Sequence, residues 1–261
     1  MEELSIIKIG GSVIDDEKLL QEFLGKFSRI PQKKILIHGG GLIASRLSEK
    51  LGIEVQMHQG RRITDRDSLD IVTMVYGGLI NKTIVAKLHA LSCPAIGLTG
   101  ADGGLIQAKR RPAQPIDYGF VGDIEKISAK FLKQTLDQGL TPVIAPLSCS
   151  SDGQLLNTNA DTIASELCQV LTPHYHCSLL YAMDHAGVLL NPDDPQSAIA
   201  ELDRQRFAEL IESRVISKGM IPKLENALKA KAAGAAMVKI CDAASSIAIC
   251  HGSRNLGTEL V

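Results

Sequence analysis

Lys8 stands inside an otherwise apolar run, Leu4-Ser5-Ile6-Ile7-Lys8-Ile9, one residue before the pair Gly10-Gly11. An ammonium group buried in a strand costs on the order of several kcal/mol unless it meets an anion or reaches an edge. The glycines beside it let an anionic ligand approach bare backbone, and the positive end of a following helix aims unpaired N–H groups at the same place. A second cluster, Gly39-Gly40-Gly41, ends another apolar run, Ile35-Leu36-Ile37-His38. Asp161 follows Leu156-Asn157-Thr158-Asn159-Ala160 at the head of an amphipathic segment, and Lys223 follows Lys218-Gly219-Met220-Ile221-Pro222 where another helix begins. Taken singly, each has a structural explanation: a tight turn for either glycine cluster, helix capping for Asp161, a solvated surface for Lys223. Two glycine clusters at the carboxyl ends of neighbouring strands tilt the balance toward an anion site, because ligands of open α/β sheets bind at that edge.

Other chemistries are narrowed by what surrounds these residues. No GxxxxGK(S/T) run occurs, which excludes a P-loop. Gly39-Gly40-Gly41-Leu42-Ile43-Ala44 does satisfy the looser GxGxxG/A dinucleotide fingerprint, and Arg61-Arg62 follow where a 2′-phosphate of NADP would sit. His174, His176 and His185 have no suitably spaced carboxylate or thiol beside them, and i, i+2 histidines on a strand face opposite ways, so no protein-held metal is expected. With 28 basic against 29 acidic residues there is no charge excess of the kind that nucleic acid or an anionic membrane attracts. Aromatic residues are only 3% with no Trp, which removes the stacking platforms used for bases and leaves a small polar ligand as the expectation. Cys93, Cys149, Cys168, Cys177, Cys241 and Cys250 form no CxxC pair and read as free thiols. Met-Glu-Glu runs directly into the first apolar segment, and no apolar run approaches the ~18 residues of a membrane helix, so a cytoplasmic protein without membrane contact is expected.

The elements that must position these groups follow from periodicity. Short apolar runs at Leu4 to Ile9, Lys34 to His38, Ile53 to Met57, Ala95 to Thr99, Pro142 to Pro146, Ser178 to Met183 and Met237 to Cys241 read as strands. Helical spacing marks Leu42 to Leu51, Asp65 to Leu91, Ser128 to Gln138, Ala160 to Leu171, Asp203 to Glu212 and Lys223 to Ala233. Apolar strands alternating with helices require a parallel sheet covered on both faces, hence a three-layer α/β/α sandwich with a mostly parallel central sheet. Gly100 to Asp123, rich in Gly and Pro and carrying Lys109-Arg110-Arg111, reads as an exposed loop or a pair of hairpins over the sheet. No linker interrupts the chain, and a functional division falls near residue 172, before Pro173-His174-Tyr175-His176.

Lys8-Ile9-Gly10-Gly11-Ser12, His38-Gly39-Gly40-Gly41, Gly60-Arg61-Arg62-Ile63-Thr64, Asn157-Thr158-Asn159-Ala160-Asp161 and Gly219-Met220-Ile221-Pro222-Lys223 resemble, in order and approximate spacing, the motifs of acetylglutamate kinases in the amino-acid kinase family. The likeness extends to the closing Gly257-Thr258-Glu259. It implies the amino-acid kinase fold, with a sheet of about eight strands, residues 1–172 binding the amino acid and residues 173–261 binding ATP. It implies transfer of the γ-phosphoryl of MgATP to the side-chain carboxylate of N-acetyl-L-glutamate, in arginine biosynthesis. By the same resemblance Lys8 and Lys223 stabilise the moving charge and Asp161 orients them; Arg62 pairs with the α-carboxylate, Asn157 meets the acylamino group, and Gly40 and Gly41 donate backbone N–H groups. Gly10 and Gly11 hold phosphate, while Asp184-His185-Ala186-Gly187-Val188-Leu189 and Val215-Ile216-Ser217 contact the nucleotide. Mg²⁺ travels on the phosphates and water. Relatives inhibited by arginine carry an additional N-terminal helix, so a homodimer without arginine feedback is implied.

The reaction suits these residue types. Phosphoryl transfer needs positioning and charge neutralisation more than covalent help, and a carboxylate acceptor, already ionised at about pH 7, needs no general base. Two departures stand out: Met183 where Ser or Thr is expected, and Ala101 where many relatives carry Lys. The first bears on the local nucleotide contact; the second, in a loop to Asp123 that would form a lid over the substrate, leaves open a succinyl or carrier-linked aminoadipate acceptor, for which Lys109, Arg110 or Arg111 would meet an extra carboxylate if they are not simply solvated. Readings of another class are an NADP-dependent oxidoreductase built on the Gly39 turn and an inactive ligand sensor with the same fold. The first leaves Lys8, Asn157, Asp161 and Lys223 without a shared task; the second sits poorly with the retention of both lysines and the aspartate.

Overall fold

The computed structural model describes residues 1–261 except Gln59, Pro192, Ser217 and Lys218. The chain opens with β1 (Glu3–Ile9), α1 (Gly11–Asp15), α2 (Glu17–Phe27), β2 (Lys33–His38) and α3 (Gly41–Lys50). A small hairpin, β3 (Met57–His58) and β4 (Arg61–Arg62), leads into a helical rod composed of α4 (Arg66–Val72), a π-helical stretch (Thr73–Ile80) and α5 (Asn81–Ala90). Then come β5 (Ala95–Leu98), β6 (Ile106–Arg110), β7 (Gly122–Ile127), α6 (Ala129–Asp137), β8 (Thr141–Ile144), β9 (Leu147–Cys149) and β10 (Leu155–Asn157). The chain closes with α7 (Ala160–Leu171), β11 (His176–Met183), β12 (Glu201–Leu202), α8 (Arg204–Glu212), α9 (Ile221–Ala232), β13 (Met237–Asp242), α10 (Ala243–Cys250) and β14 (Thr258–Leu260).

Eight strands form the central sheet in the order β12-β14-β13-β11-β1-β2-β8-β5. All pairings are parallel except β13 with β14. Successive residues of a strand face opposite layers, so Leu4 and Ile6 pack in one core with Ile163, Leu167 and Leu224 of α7 and α9, while Ile7 and Ile9 pack in the other with Phe23, Phe27, Ile84 and Ile247. Both faces are therefore covered by helices, as the apolar runs required. Lys8 shares the face of Ile6, and so lies under α7 at the carboxyl end of β1. Strands from before residue 172 make one half of the sheet and those from after it the other, meeting where β1 pairs with β11.

Two expectations change, and a third, the hairpin reading of Gly100 to Asp123, is met by β6 pairing antiparallel with β7. Ile53 to Met57 is no strand of the main sheet; only Met57–His58 pairs, with Arg61–Arg62, because the run alternates apolar and polar residues where a central parallel strand is apolar throughout. Gly100 to Asp123 holds β6 and the start of β7, which belong to a separate sheet of order β10-β9-β6-β7. The rod Arg66–Ala90, 25 residues long and containing an 18-residue stretch of mean hydropathy 1.3, is long and apolar enough to cross a membrane, contrary to the expectation of no such run. Here it buries Leu69, Ile71, Val72, Val75, Ile80, Ile84 and Leu88 in the core that covers one face of the sheet.

Candidate active site

A cavity of about 570 Å³ opens at the carboxyl ends of β1 and β2, walled by both glycine turns, Lys8, Arg62, Asn157 and the start of α7. Ligands of open α/β sheets bind along this edge. Asn159 caps α7, its Oδ1 accepting from the N–H groups of Asp161 and Thr162 at 2.9 and 3.0 Å. The Asp161 carboxylate is thus released from the capping role and reaches both lysines. Lys223 Nζ donates to Oδ2 at 2.5 Å, and Lys8 Nζ lies 2.8 Å from Oδ1 in an ionic contact off the hydrogen-bonding direction. Asp161 and Lys8 are each 9% exposed. Burial alone pushes the Asp161 carboxyl up, but the Lys8 and Lys223 ammonium groups outweigh it and hold the group below the usual carboxylate range. Burial also draws Lys8 below the usual lysine value, opposed by Asp161 and reinforced by Lys223. The chain thus brings two cations, far apart in sequence, onto one anion at the mouth of a cleft.

The glycine turns are tied together by Gly39 N–H donating to Ile9 C=O at 3.2 Å. Gly40 has φ +149°, and a Cβ there would lie 2.3 Å from Ile80 Cδ1, so only glycine fits between the turn and the π-helical stretch. Arg62 is buried; its Nη2 donates to Gly41 C=O at 3.0 Å and to Ser45 Oγ at 2.8 Å. Its Nη1 is buried with no hydrogen-bond partner among the described residues. Asn157 Nδ2 donates to Thr64 Oγ1 at 3.0 Å. Ser45, Tyr76 and Arg111 also wall the cleft; Ser45 and Tyr76 were not read from the sequence as site residues, and Arg111 was read either as solvated or as meeting an extra carboxylate. Ser45 and Tyr76 carried no motif signal. Arg111, weighed as part of a solvated basic run, is turned inward by Asp123, which accepts from its Nη2 at 2.6 Å and its Nε at 3.0 Å.

Of the residues expected to hold ATP, Gly10 and Gly11 wall this cleft, whereas Asp184 to Leu189, Val215 and Ile216 are not among its lining residues. Asp184, His185 and Ala186 are exposed in the turn after β11. Gly187 is pressed against Thr258, Val188 donates its N–H to Thr258 Oγ1 at 2.8 Å, and Leu189 bridges to Ala198. The Val188 and Ile216 side chains fill the core and the partly buried Val215 packs against it. Ser217 is outside the described residues. Among the described residues, no three His, Cys, Asp or Glu side chains are placed to share a metal ion.

The model of the amino acid kinase family matches residues 3–242. The chain belongs to that family. An acetylglutamate kinase of Cytophaga hutchinsonii is 48% identical over 262 residues, covering 100% of this chain and 99% of the relative. One from Parabacteroides distasonis is 48% identical over 243 residues, covering 93% and 95%. Among solved structures, smu.665 from Streptococcus mutans UA159 superposes with a TM-score of 0.80 at 28% identity, covering 93% of this chain and 96% of that one. Carbamate kinase from Giardia lamblia bound to AMP-PNP gives a TM-score of 0.71 at 15% identity over 100% and 98% of the chains, a likeness of fold alone. The likeness to acetylglutamate kinases seen in short motifs therefore extends over the whole chain, and the Gly39 turn belongs to an amino acid kinase rather than to a dinucleotide-binding oxidoreductase.

Proposed function

We propose that this protein transfers the γ-phosphoryl group of MgATP to the side-chain carboxylate of N-acetyl-L-glutamate, giving N-acetyl-L-glutamyl 5-phosphate and ADP, a step of arginine biosynthesis. The observation that carries the reading is Asp161 held between Lys8 and Lys223 beside the glycine-walled cleft; the full-length likeness to relatives named acetylglutamate kinase supports it. A carboxylate oxygen attacks the γ-phosphorus while the bond to the bridging oxygen breaks, and ADP leaves with that electron pair. Lys8 and the glycine turns meet the γ-phosphoryl oxygens, Lys223 meets the charge growing on the leaving side, and Asp161 keeps the two ammonium groups from drifting apart. Arg62, with Nη2 already spent on Gly41 and Ser45, offers its buried Nη1 to the α-carboxylate. Asn157, with one amide hydrogen given to Thr64 Oγ1, keeps its oxygen for the acylamino N–H. A divalent cation carried by phosphate oxygens and water supplies the remaining charge neutralisation.

Residues 1–172 are the amino-acid side and residues 173–261 the nucleotide side, in keeping with the division of the sheet between them. The free cysteines suit the reducing cytoplasm. A homodimer is the assembly we propose, supported by the exposed Met74 and Leu79 on the long helical rod. Hydroxamate trapping with MgATP and, in parallel, N-acetylglutamate, N-succinylglutamate, free glutamate and aminoadipate tests the reaction. Hydroxamate from N-acetylglutamate is expected. None from that acceptor overturns the assignment, and a preference for the succinyl compound moves it to the larger acyl group.

A further inference from the structure

His38 is fully buried at the end of β2, one residue before the second glycine turn, and the phosphotransfer chemistry described above gives it no task. Its surroundings determine its state. Asn81, also fully buried, places its Nδ2 2.9 Å from Val143 C=O and 3.2 Å from His38 Nε2. A carbonyl oxygen only accepts, so the atom facing Val143 must be the amide nitrogen, which fixes which way the Asn81 amide points. The nitrogen's other hydrogen then faces His38 Nε2, which must accept. The imidazole proton is consequently on Nδ1, 2.8 Å from Gly39 C=O, and donates to it. One backbone carbonyl in β8 thus sets an amide, a tautomer and finally the orientation of the Gly39 carbonyl.

That last orientation reaches the cleft. In a trans peptide the C=O of one residue and the N–H of the next point opposite ways. Holding Gly39 C=O back toward His38 therefore turns the Gly40 N–H outward, at a turn that walls the cleft. Among the described residues this N–H has no acceptor. The π-helical stretch supplies the rest of the support. Tyr76 and Ile80 press on the Cα of Gly40, with Tyr76 Cδ1 3.1 Å and Ile80 Cδ1 2.3 Å from where a Cβ would stand, and Asn81 follows immediately. Asn81 Oδ1 is left buried without a partner, and an apolar residue of the same shape would avoid that penalty. A side chain kept at a cost to stability needs another reason to be there.

We propose that His38 and Asn81 are positioning residues, a relay from the long helix that aims the Gly40 N–H at the oxygen that gains charge in the transition state. The inference rests on the phosphotransfer reading of this cleft. It is tested by steady-state kinetics of wild type, Asn81→Leu, His38→Leu and His38→Asn with N-acetylglutamate and MgATP, each variant first compared with wild type by circular dichroism and thermal melting. Misaiming a donor that matters most in the transition state lowers kcat by about 10- to 100-fold in either leucine variant, with both KM values within about two-fold of wild type. His38→Asn, whose amide N–H replaces the Nδ1 donor, recovers activity to within about five-fold of wild type. Leucine variants with unchanged kcat, or a His38→Asn variant no better than His38→Leu, overturn the relay. If His38→Leu does not fold, the contrast between Asn81→Leu and His38→Asn decides in the same way. A wild type without any acyl phosphate product sinks the phosphotransfer reading instead, and is recognised before any variant is compared.

Discussion

Asp161 gives each carboxylate oxygen to a different ammonium group, Oδ1 to Lys8 and Oδ2 to Lys223. Asparagine has the same shape without the charge, so Asp161→Asn leaves Lys8 and Lys223 repelling one another in a poorly solvated place. Breaking a buried charge cluster by removing one partner costs about 3–5 kcal/mol, and turnover falls by about 10²- to 10³-fold as the lysines lose their alignment. Thermal melting of Asp161→Asn is expected to recover part of the loss when MgADP is added, because the phosphates replace the missing anion. A variant as stable as wild type, or one indifferent to nucleotide, contradicts this arrangement. His38 gives a second test at this scale. Burial draws its pKa down to about 4, against the backbone hydrogen bond to Gly39, which raises it. Above the ordinary histidine value of about 6.5 both folded and unfolded chains carry it neutral and its stability contribution is complete. As pH falls from there toward about 4, the unfolded chain takes up a proton that the folded one refuses, and on the order of 3 kcal/mol is lost. His38→Asn removes that slope. Urea melts at about pH 7.5 and about pH 5 should show wild type weakening more than the variant.

At the scale of elements, the site depends on a π-helical stretch being where the Gly39-Gly40-Gly41 turn needs it. Gly40→Ala adds a methyl in a φ region alien to alanine and drives it into Ile80 Cδ1; together these cost about 1–3 kcal/mol or more. Ile80→Val removes that Cδ1 atom and alone costs about 0.5–1.5 kcal/mol. The double variant is expected to be more stable than the sum of the single effects, since the clash is relieved while the backbone strain persists. Additive losses in a denaturation cycle would show that the two elements do not press on one another. Much of this architecture was readable from the chain. The stretches Ile6–Ile7, Ile35–Ile37 and Leu179–Ala182 within β1, β2 and β11 are apolar without alternation because both faces are buried, and the glycines after β1 and β2 break the pattern where a ligand needs backbone. The π-helical stretch was not readable, because Thr73–Ile80 keeps an apolar spacing compatible with an ordinary helix. β12 and β14 are two and three residues long, too short for any periodicity to declare itself. The inward turn of Arg111 depends on Asp123, which meets it only after β6 and β7 pair.

At the scale of the whole molecule, the same π-helical turns point outward as well as inward. Met74 and Leu79 are 54% and 58% exposed, and Gly78 is exposed beside them. A spacing of five places Met74 and Leu79 on one side where the hydrogen bonds run i to i+5. Exposed apolar side chains beside a glycine let a second backbone come close, which is why this is the face we propose for a dimer contact. Gly78 allows that assignment to be separated from folding. A Cβ at Gly78 meets nothing within 4 Å, so Gly78→Gln is accommodated in the single chain. Glycine is also a poor helix former, by about 1 kcal/mol relative to alanine, so the variant chain should be no less stable on its own. Against a second copy, however, the glutamine side chain occupies the space the partner would fill. Wild type is expected to sediment at about twice the 28.0 kDa chain mass with a Tm that rises with protein concentration, and Gly78→Gln at the single mass with a Tm that does not. A wild type that sediments as one chain removes the dimer, and a variant that still sediments as two moves the contact to another face.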